Sequence, residues 1–228
     1  MNIKRYFPDF TRFEYSLWGI SGILVILLYG FNPAKDILTL IASLLGVTAL
    51  IFLAKGNVIG QILTVVFSIL YAVISYHFHY YGEMITYLGM TAPIAAISTV
   101  TWLRHPSDKG AREVKIAPLT VWKIIWLIIL SFIVTAIFYY ILKYFGTNNL
   151  VISTLSITTS FLASALTLLR SPFYAIAYAA NDIVLIVLWI LASIEDIRFL
   201  PMILCFVIFL VNDIYGFINW NKIKKEQA

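Results

Sequence analysis

The sequence predicts an all-α integral membrane protein of about eight spans: two parallel three-helix repeats joined by a linking helix, with one extra transmembrane helix ahead of them. Three observations lead there. Hydrophobic residues fill 61% of the 228 positions and charged residues 12%, well below the roughly one-quarter charged usage of water-soluble domains. Windows without Asp, Glu, Lys or Arg recur at close to the roughly 20 residues that cross a bilayer as a helix. On either side of a central polar loop, the same order of basic, acidic and tryptophan positions returns.

The first window, 16–34, follows Lys4, Arg5 and Arg12, as a secretory signal would, but no small-residue cleavage pattern follows Tyr29 and Gly30. It is read as a helix that stays. Windows 37–54, 56–82 and 84–103 give the next three spans. The stretch from Arg104 to Pro118, broken by Pro106, Gly110 and Pro118, is the sizeable polar connection. Window 124–142 is the linking helix, and 144–169, 173–193 and 199–219 complete the set, the last two each holding one aspartate. The expected units are therefore 1–36, 37–102, 103–149, 150–220 and a basic tail at 221–228.

With eight spans, thirteen of the sixteen Lys and Arg residues fall on one side, and only Lys35, Lys143 and Arg198 on the other. That asymmetry places both termini in the cytoplasm. It also accounts for the net charge of +5 without nucleic acid, because the basic residues sit at helix ends and in one loop. In the two halves Lys55 aligns with Arg170, Glu83 falls near the turn at Glu195 and Asp196, and Trp102 aligns with Trp220. The offset is 115 residues at the start and 118 at the end. One span between the repeats makes them enter the membrane from the same side, hence parallel, and repeat transporters bind near the midplane between their units.

In lipid, polar side chains face other helices or a watery path, so polar periodicity is the informative signal. Asn57, Gln61, Thr64, Ser68, Tyr71 and Ser75 step by four and three along one helical face. In the second half Tyr174, Tyr178, Asn181, Asp182 and Trp189 form a matching stripe. Gln61, Tyr178 and Asn181 are costly to bury without partners and are read as cavity lining; Thr64 and Ser68 suit helix packing equally well. Asp182 and Asp213 are intramembrane carboxyls, read as structural locks or proton-coupling groups. They lie 31 residues apart on successive antiparallel helices and at different expected depths, which argues against a two-carboxylate pair and against an intramembrane enzyme. Trp102, Trp220, Trp122 and Trp126 are read mostly as interfacial anchors.

The single cysteine, Cys205, offers neither a disulfide nor a cysteine metal site within one chain. His77 and His79 are read as a solvated turn rather than metal ligands. No phosphate-binding loop, H-E-x-x-H zinc motif or G-x-S-x-G elbow occurs, and no lysine falls inside a span. ATP-driven transport by this chain and a retinal Schiff base are thereby excluded. No cofactor is expected.

The stretch from Ser171 to Trp189, the closing run from Val211 to Trp220, and Tyr81-Gly82-Glu83-Met84 after Gly56-Asn57 resemble the PnuC family of vitamin transporters, over about 38–220. The resemblance implies a SWEET-like arrangement of three, one and three helices, matching the repeat, in a bacterial cytoplasmic membrane. It implies nicotinamide riboside as cargo, moved by facilitated diffusion and retained when a separate kinase phosphorylates it; relatives carry thiamine or riboflavin. Many members have paired tryptophans where this chain has Ala175 and Tyr178. The residues expected to meet cargo are Gln61, Tyr178, Asn181 and Trp189, then Asn57, Tyr71 and Asn212: aromatic faces for a cationic ring, amides for hydroxyls and carboxamide. A proton-coupled symporter using Asp182 stays open as an alternative, as does a homo-oligomer.

Overall fold

Eight helices of the described chain are long and apolar enough to cross a membrane. They are α1 (Arg12–Phe31), α2 (Ile37–Ala54), α3 (Val58–His77), a fourth span made of α4 (Tyr81–Thr86), a π-helical turn (Tyr87–Thr91) and α5 (Ala92–Arg104), then α6 (Val121–Tyr144), α7 (Leu150–Leu168), α8 (Phe173–Glu195) and α9 (Leu200–Glu226). The computed structural model describes residues 7–31, 36–77, 80–108, 110–147, 149–195, 197 and 200–227. Lys4, Arg5, Lys35, His79, Lys109, Asp196 and Arg198, used in the charge and turn readings, lie outside the described residues.

Six of the spans close a ring. α2 packs on α3, α3 on α5, α5 on α7, α7 on α8, α8 on α9, and α9 returns to α2. α6 leans on α7 from outside, with Trp122, Trp126 and Phe132 exposed as a lipid-facing surface should be. α1 covers the seam of α2 and α9. Trp18 Nε1 donates to Thr48 Oγ1 at 3.1 Å, and the carboxylate of Glu14, fully buried, meets Lys55 Nζ at 3.1 Å and accepts from the Tyr215 hydroxyl at 2.6 Å. A buried carboxylate is tolerated there because both a cation and a hydroxyl answer it.

α2 and α7 end in the same backbone device. The second residue after each helix is left-handed, Gly56 at φ 63° and Arg170 at φ 57°. Gly56 N and Asn57 N donate to the carbonyls of Leu53 and Phe52, as Arg170 N and Ser171 N do to those of Thr167 and Leu166. Such reversed bonds satisfy carbonyls that a helix end leaves open. The side chains of Asn57 and Ser171 then accept from Ile59 N and Phe173 N, at 2.9 and 3.4 Å, and start the next helix. These positions are all 114 apart (56 and 170, 57 and 171, 59 and 173), one fewer than the alignment of Lys55 with Arg170.

The polar loop after α5 holds a small antiparallel hairpin, β1 (Pro106–Ser107) against β2 (Gly110–Val114). Composition gave no sign of it. Val114 N donates to Gly56 O at 2.9 Å and Ala117 N to Arg170 O at 3.1 Å, so one segment straps both turns. Beneath it, Trp102 Nε1 donates to Thr167 O at 3.1 Å and Trp220 Nε1 to Leu53 O at 2.8 Å, with the two indoles 5.5 Å apart. Both tryptophans are buried, which corrects their reading as interfacial anchors: an indole N–H that finds a backbone acceptor inside has no need of the membrane surface.

Candidate functional site

At mid-height of the ring lies a cavity between the helices, with about 570 Å³ of empty space when the open space at its mouth is counted. Every member of the ring reaches it: Gly46, Ala49, Leu50 and Leu53 from α2, Thr64 and Phe67 from α3, Tyr87 and Thr91 from the π-helical turn of the fourth span, Ser160 from α7, Tyr178, Asn181 and Asp182 from α8, and Phe206, Phe209 and Asp213 from α9. Aromatic layers stand on both sides of it. Toward the hairpin are Trp102, Tyr174 and Trp220, packed around Leu53; toward the opposite end are Tyr71, Tyr87, Phe206 and Trp189. Gly46 is required where α2 passes the cavity, because a Cβ there would come within 2.5 Å of Phe209 Cζ and 3.1 Å of Phe67 Cε2.

The fourth span owes its shape to two neighbouring features. The π-helical turn at Tyr87–Thr91 inserts an extra residue into the helical ladder, and Pro93 follows at once without an N–H of its own. Both end residues of that turn, Tyr87 and Thr91, line the cavity. Such turns gather at functional sites because they aim side chains that a regular helix would turn away.

Of the residues singled out from sequence, Thr64, Tyr178, Asn181, Asp182 and Asp213 converge on the cavity. The Asn181 carbonyl oxygen accepts from Thr159 Oγ1 at 2.8 Å and Ser160 Oγ at 2.9 Å, which leaves its amide N–H groups as the donors for a ligand. The Tyr178 hydroxyl lies 3.3 Å from Ser164 Oγ. Asp182 and Asp213 are within hydrogen-bonding reach of each other, which overturns the expectation of different depths. The reason is register: α9 continues past the expected end at 219 to Glu226, and Trp220 packs 4.7 Å from Tyr174. From that pair Asp213 is seven residues along α9 and Asp182 eight along α8, so the carboxyls come level.

The other expected contacts lie elsewhere. Asn57 is buried in the turn before α3, and Gln61, one turn further along, is buried outside the cavity wall. Tyr71 stacks on Phe67 and sits 4.4 Å from the Tyr87 ring, in the outer aromatic layer; Trp189 belongs to the same layer, 5.1 Å from Tyr80. Asn212 points away, its amide donating to Ser21 Oγ of α1 at 3.2 Å and to Ile208 O at 2.8 Å. Ser68 donates to its own helix backbone at Thr64 O, and Thr64 does likewise to Gly60 O while also lining the cavity. Glu83, read as part of a turn, is buried in the first turn of α4. Missed from sequence were Phe67, Tyr87, Thr91, Phe206 and Phe209 on the wall; the four-residue step from Tyr87 to Thr91 was the one available sign.

A profile of the nicotinamide mononucleotide transporter family matches residues 36–222. This chain belongs to that family, the PnuC transporters. The nicotinamide riboside transporter PnuC of Neisseria mucosa is 27% identical over 99% of this chain and 87% of its own length. Its namesake from Haemophilus influenzae is 24% identical over 82% of this chain and 80% of its own. The crystal structure of the vitamin B3 transporter PnuC superposes with a TM-score of 0.85 at 26% identity, covering 99% of this chain and 98% of that one. The PnuC resemblance and the all-α, eight-span fold drawn from sequence both stand, and the chain is a multi-pass membrane protein of a bacterial transporter family.

Proposed function

We propose that this chain carries nicotinamide riboside across the bacterial cytoplasmic membrane by facilitated diffusion, the cargo being retained inside by a separate kinase. The observation that carries the reading is the central cavity, walled by all six ring helices, where Tyr178 offers a ring and Asn181 offers amide donors. Relatives named for this cargo align over most of the chain. The family name mentions the mononucleotide, but a phosphate monoester brings about −1.5 to −2 charges. Among the described wall residues there is no Lys, Arg or His, while two carboxyls are present. The riboside suits that wall and its phosphate does not, which is also why phosphorylation would prevent return.

The matched turn caps and the exchanged tryptophan bonds support two parallel repeats, 37–102 and 150–220, rocking about the cavity, with 1–36, 103–149 and 221–228 as the additional pieces. The hairpin end, where the basic residues gather, is the cytoplasmic side in this reading. A reporter fused after Ala228 should be active in the cytoplasm; activity only outside would overturn the orientation. For cargo, the test is calorimetric binding to the purified chain with nicotinamide riboside, thiamine and riboflavin side by side, followed by uptake into proteoliposomes. The riboside is expected to bind tightest and to equilibrate without accumulating.

The contact of Asp182 with Asp213 favours one second reading, proton-coupled symport, since the pair offers a seat for a proton. Accumulation above equilibrium in kinase-free proteoliposomes under a pH gradient would establish it. Recovery of the cargo unchanged from the same vesicles separates either carrier from an enzyme.

A further inference from the structure

Asp182 and Asp213 face one cavity from adjacent helices, both more than nine-tenths buried, with their carboxyls close enough to interact. An ionised carboxylate only accepts hydrogen bonds, so a bond between two carboxyls needs one proton held between them. Like charges this close in a poorly hydrated site do not both ionise. The pair can therefore carry at most one negative charge, and a cation in the cavity would favour the form with one proton and one charge. The second oxygen of Asp182 has no hydrogen-bond partner, though it is buried in a residue on the cavity wall. No Lys, Arg or His stands among the described wall residues to neutralise it, and the ion pairs of Glu14 with Lys55 and of Lys222 with Glu226 lie elsewhere. A buried charge in a membrane needs a partner. The rest of the wall is hydroxyl, amide and aromatic ring: Thr64, Asn181 and Phe209, for example.

We propose that Asp182 and Asp213 together form a single-charge recognition site for an aromatic cation, so that cargo is selected for its positive ring and the two residues are interchangeable as its source of charge. This deepens the nicotinamide riboside reading and rests on it. The oxidised riboside carries a pyridinium, and its reduced dihydropyridine form has nearly the same shape without the charge. Either single change to asparagine leaves one carboxylate, which the new amide can hydrogen-bond in place of the shared proton. The double change leaves no charge at all.

The experiment measures binding of oxidised and reduced nicotinamide riboside to the full chain in lipid nanodiscs, for the parent, Asp182→Asn, Asp213→Asn and the double variant, with thermal unfolding recorded on each sample. The parent should prefer the oxidised form by about tenfold or more, as expected for an opposite charge met at low effective dielectric. Each single variant should keep that preference to within about threefold, and the double variant should bind both forms alike. Equal binding of the two forms by the parent overturns the inference while leaving the transport reading intact. So does complete loss of the preference in one folded single variant, a result that stands even if the double fails to fold. Should the parent bind neither form, the nicotinamide reading falls, and thiamine, another aromatic cation, takes the probe's place. Thiamine binding that survives both single changes and fails in the double supports the site; any other pattern refutes it.

Discussion

At the hairpin end the two halves of the ring contribute alike. Trp102 and Trp220 each donate to a carbonyl at the end of the other half's first helix, Thr167 and Leu53, and those acceptors are themselves 114 positions apart. At the cavity the halves differ. Tyr178, Asn181 and Asp182 have Thr64, Phe67 and Ser68 standing 114 positions earlier, and Asp213 has Ala95 standing 118 earlier. A seal between two similar bundles is best made of reciprocal contacts, whereas one small asymmetric molecule cannot touch two equivalent walls in the same way. The hairpin end therefore serves closure and stability, and the second half alone supplies most of the polar chemistry.

That division can be broken most visibly at the seal. Trp220→Ala and Trp102→Ala should each cost about 3–5 kcal/mol, the usual range for truncating a buried aromatic, read from chemical unfolding in detergent. If the two contacts are equivalent the costs should agree to within about 1 kcal/mol; a negligible cost for Trp102 would end the comparison. At the cavity the order of effects should reverse. Asn181→Leu should weaken nicotinamide riboside binding by roughly threefold to a hundredfold, since the lost bonds are worth about 0.5–1.5 kcal/mol each and more where a partner is stranded. A folded Asn181→Leu chain that binds like the parent would move the site off α8.

The wall opposite α8 supplies a sharper test. Gly46→Ala should force the Phe209 ring aside and cost about 1–3 kcal/mol by overpacking, with affinity reduced because that ring borders the cavity. Pro93→Ala is expected to lower transport turnover by about threefold or more while binding holds, if the fourth span gates as a hinge; equal loss of both would make the proline purely structural. The smallest effect should come from Asn212→Ala, about 1 kcal/mol of stability through the lost bond to Ser21, with affinity unchanged.

Much of the fold was legible because lipid imposes a one-dimensional rule: a span is about 20 residues without charge, and the windows fell where the helices are. Polar periodicity also found the α8 stripe. Side-to-side register was not legible. Nothing in residues 199–219 indicates that α9 runs on to Glu226, yet that extension brings Asp213 level with Asp182. Nor can a stripe reveal which end of it meets the cavity: Asn57 serves a turn, Tyr71 an aromatic layer, and only Thr64 between them reaches the wall. Asn212 and Asp213 are neighbours in sequence that point to opposite faces, one to α1 and the other inward.

The strap over the two turns has a different kind of consequence. Its bonds run from the amides of Val114 and Ala117 to the carbonyls of Gly56 and Arg170, backbone to backbone. An amide N–H is common to every amino acid but proline. The spelling of this loop can therefore drift widely while its two stitches persist, and relatives whose loops look unrelated can share them. Proline is the exception: Pro118 sits one position beyond the second donor, and the same ring at 117 would undo the stitch that its present place leaves whole.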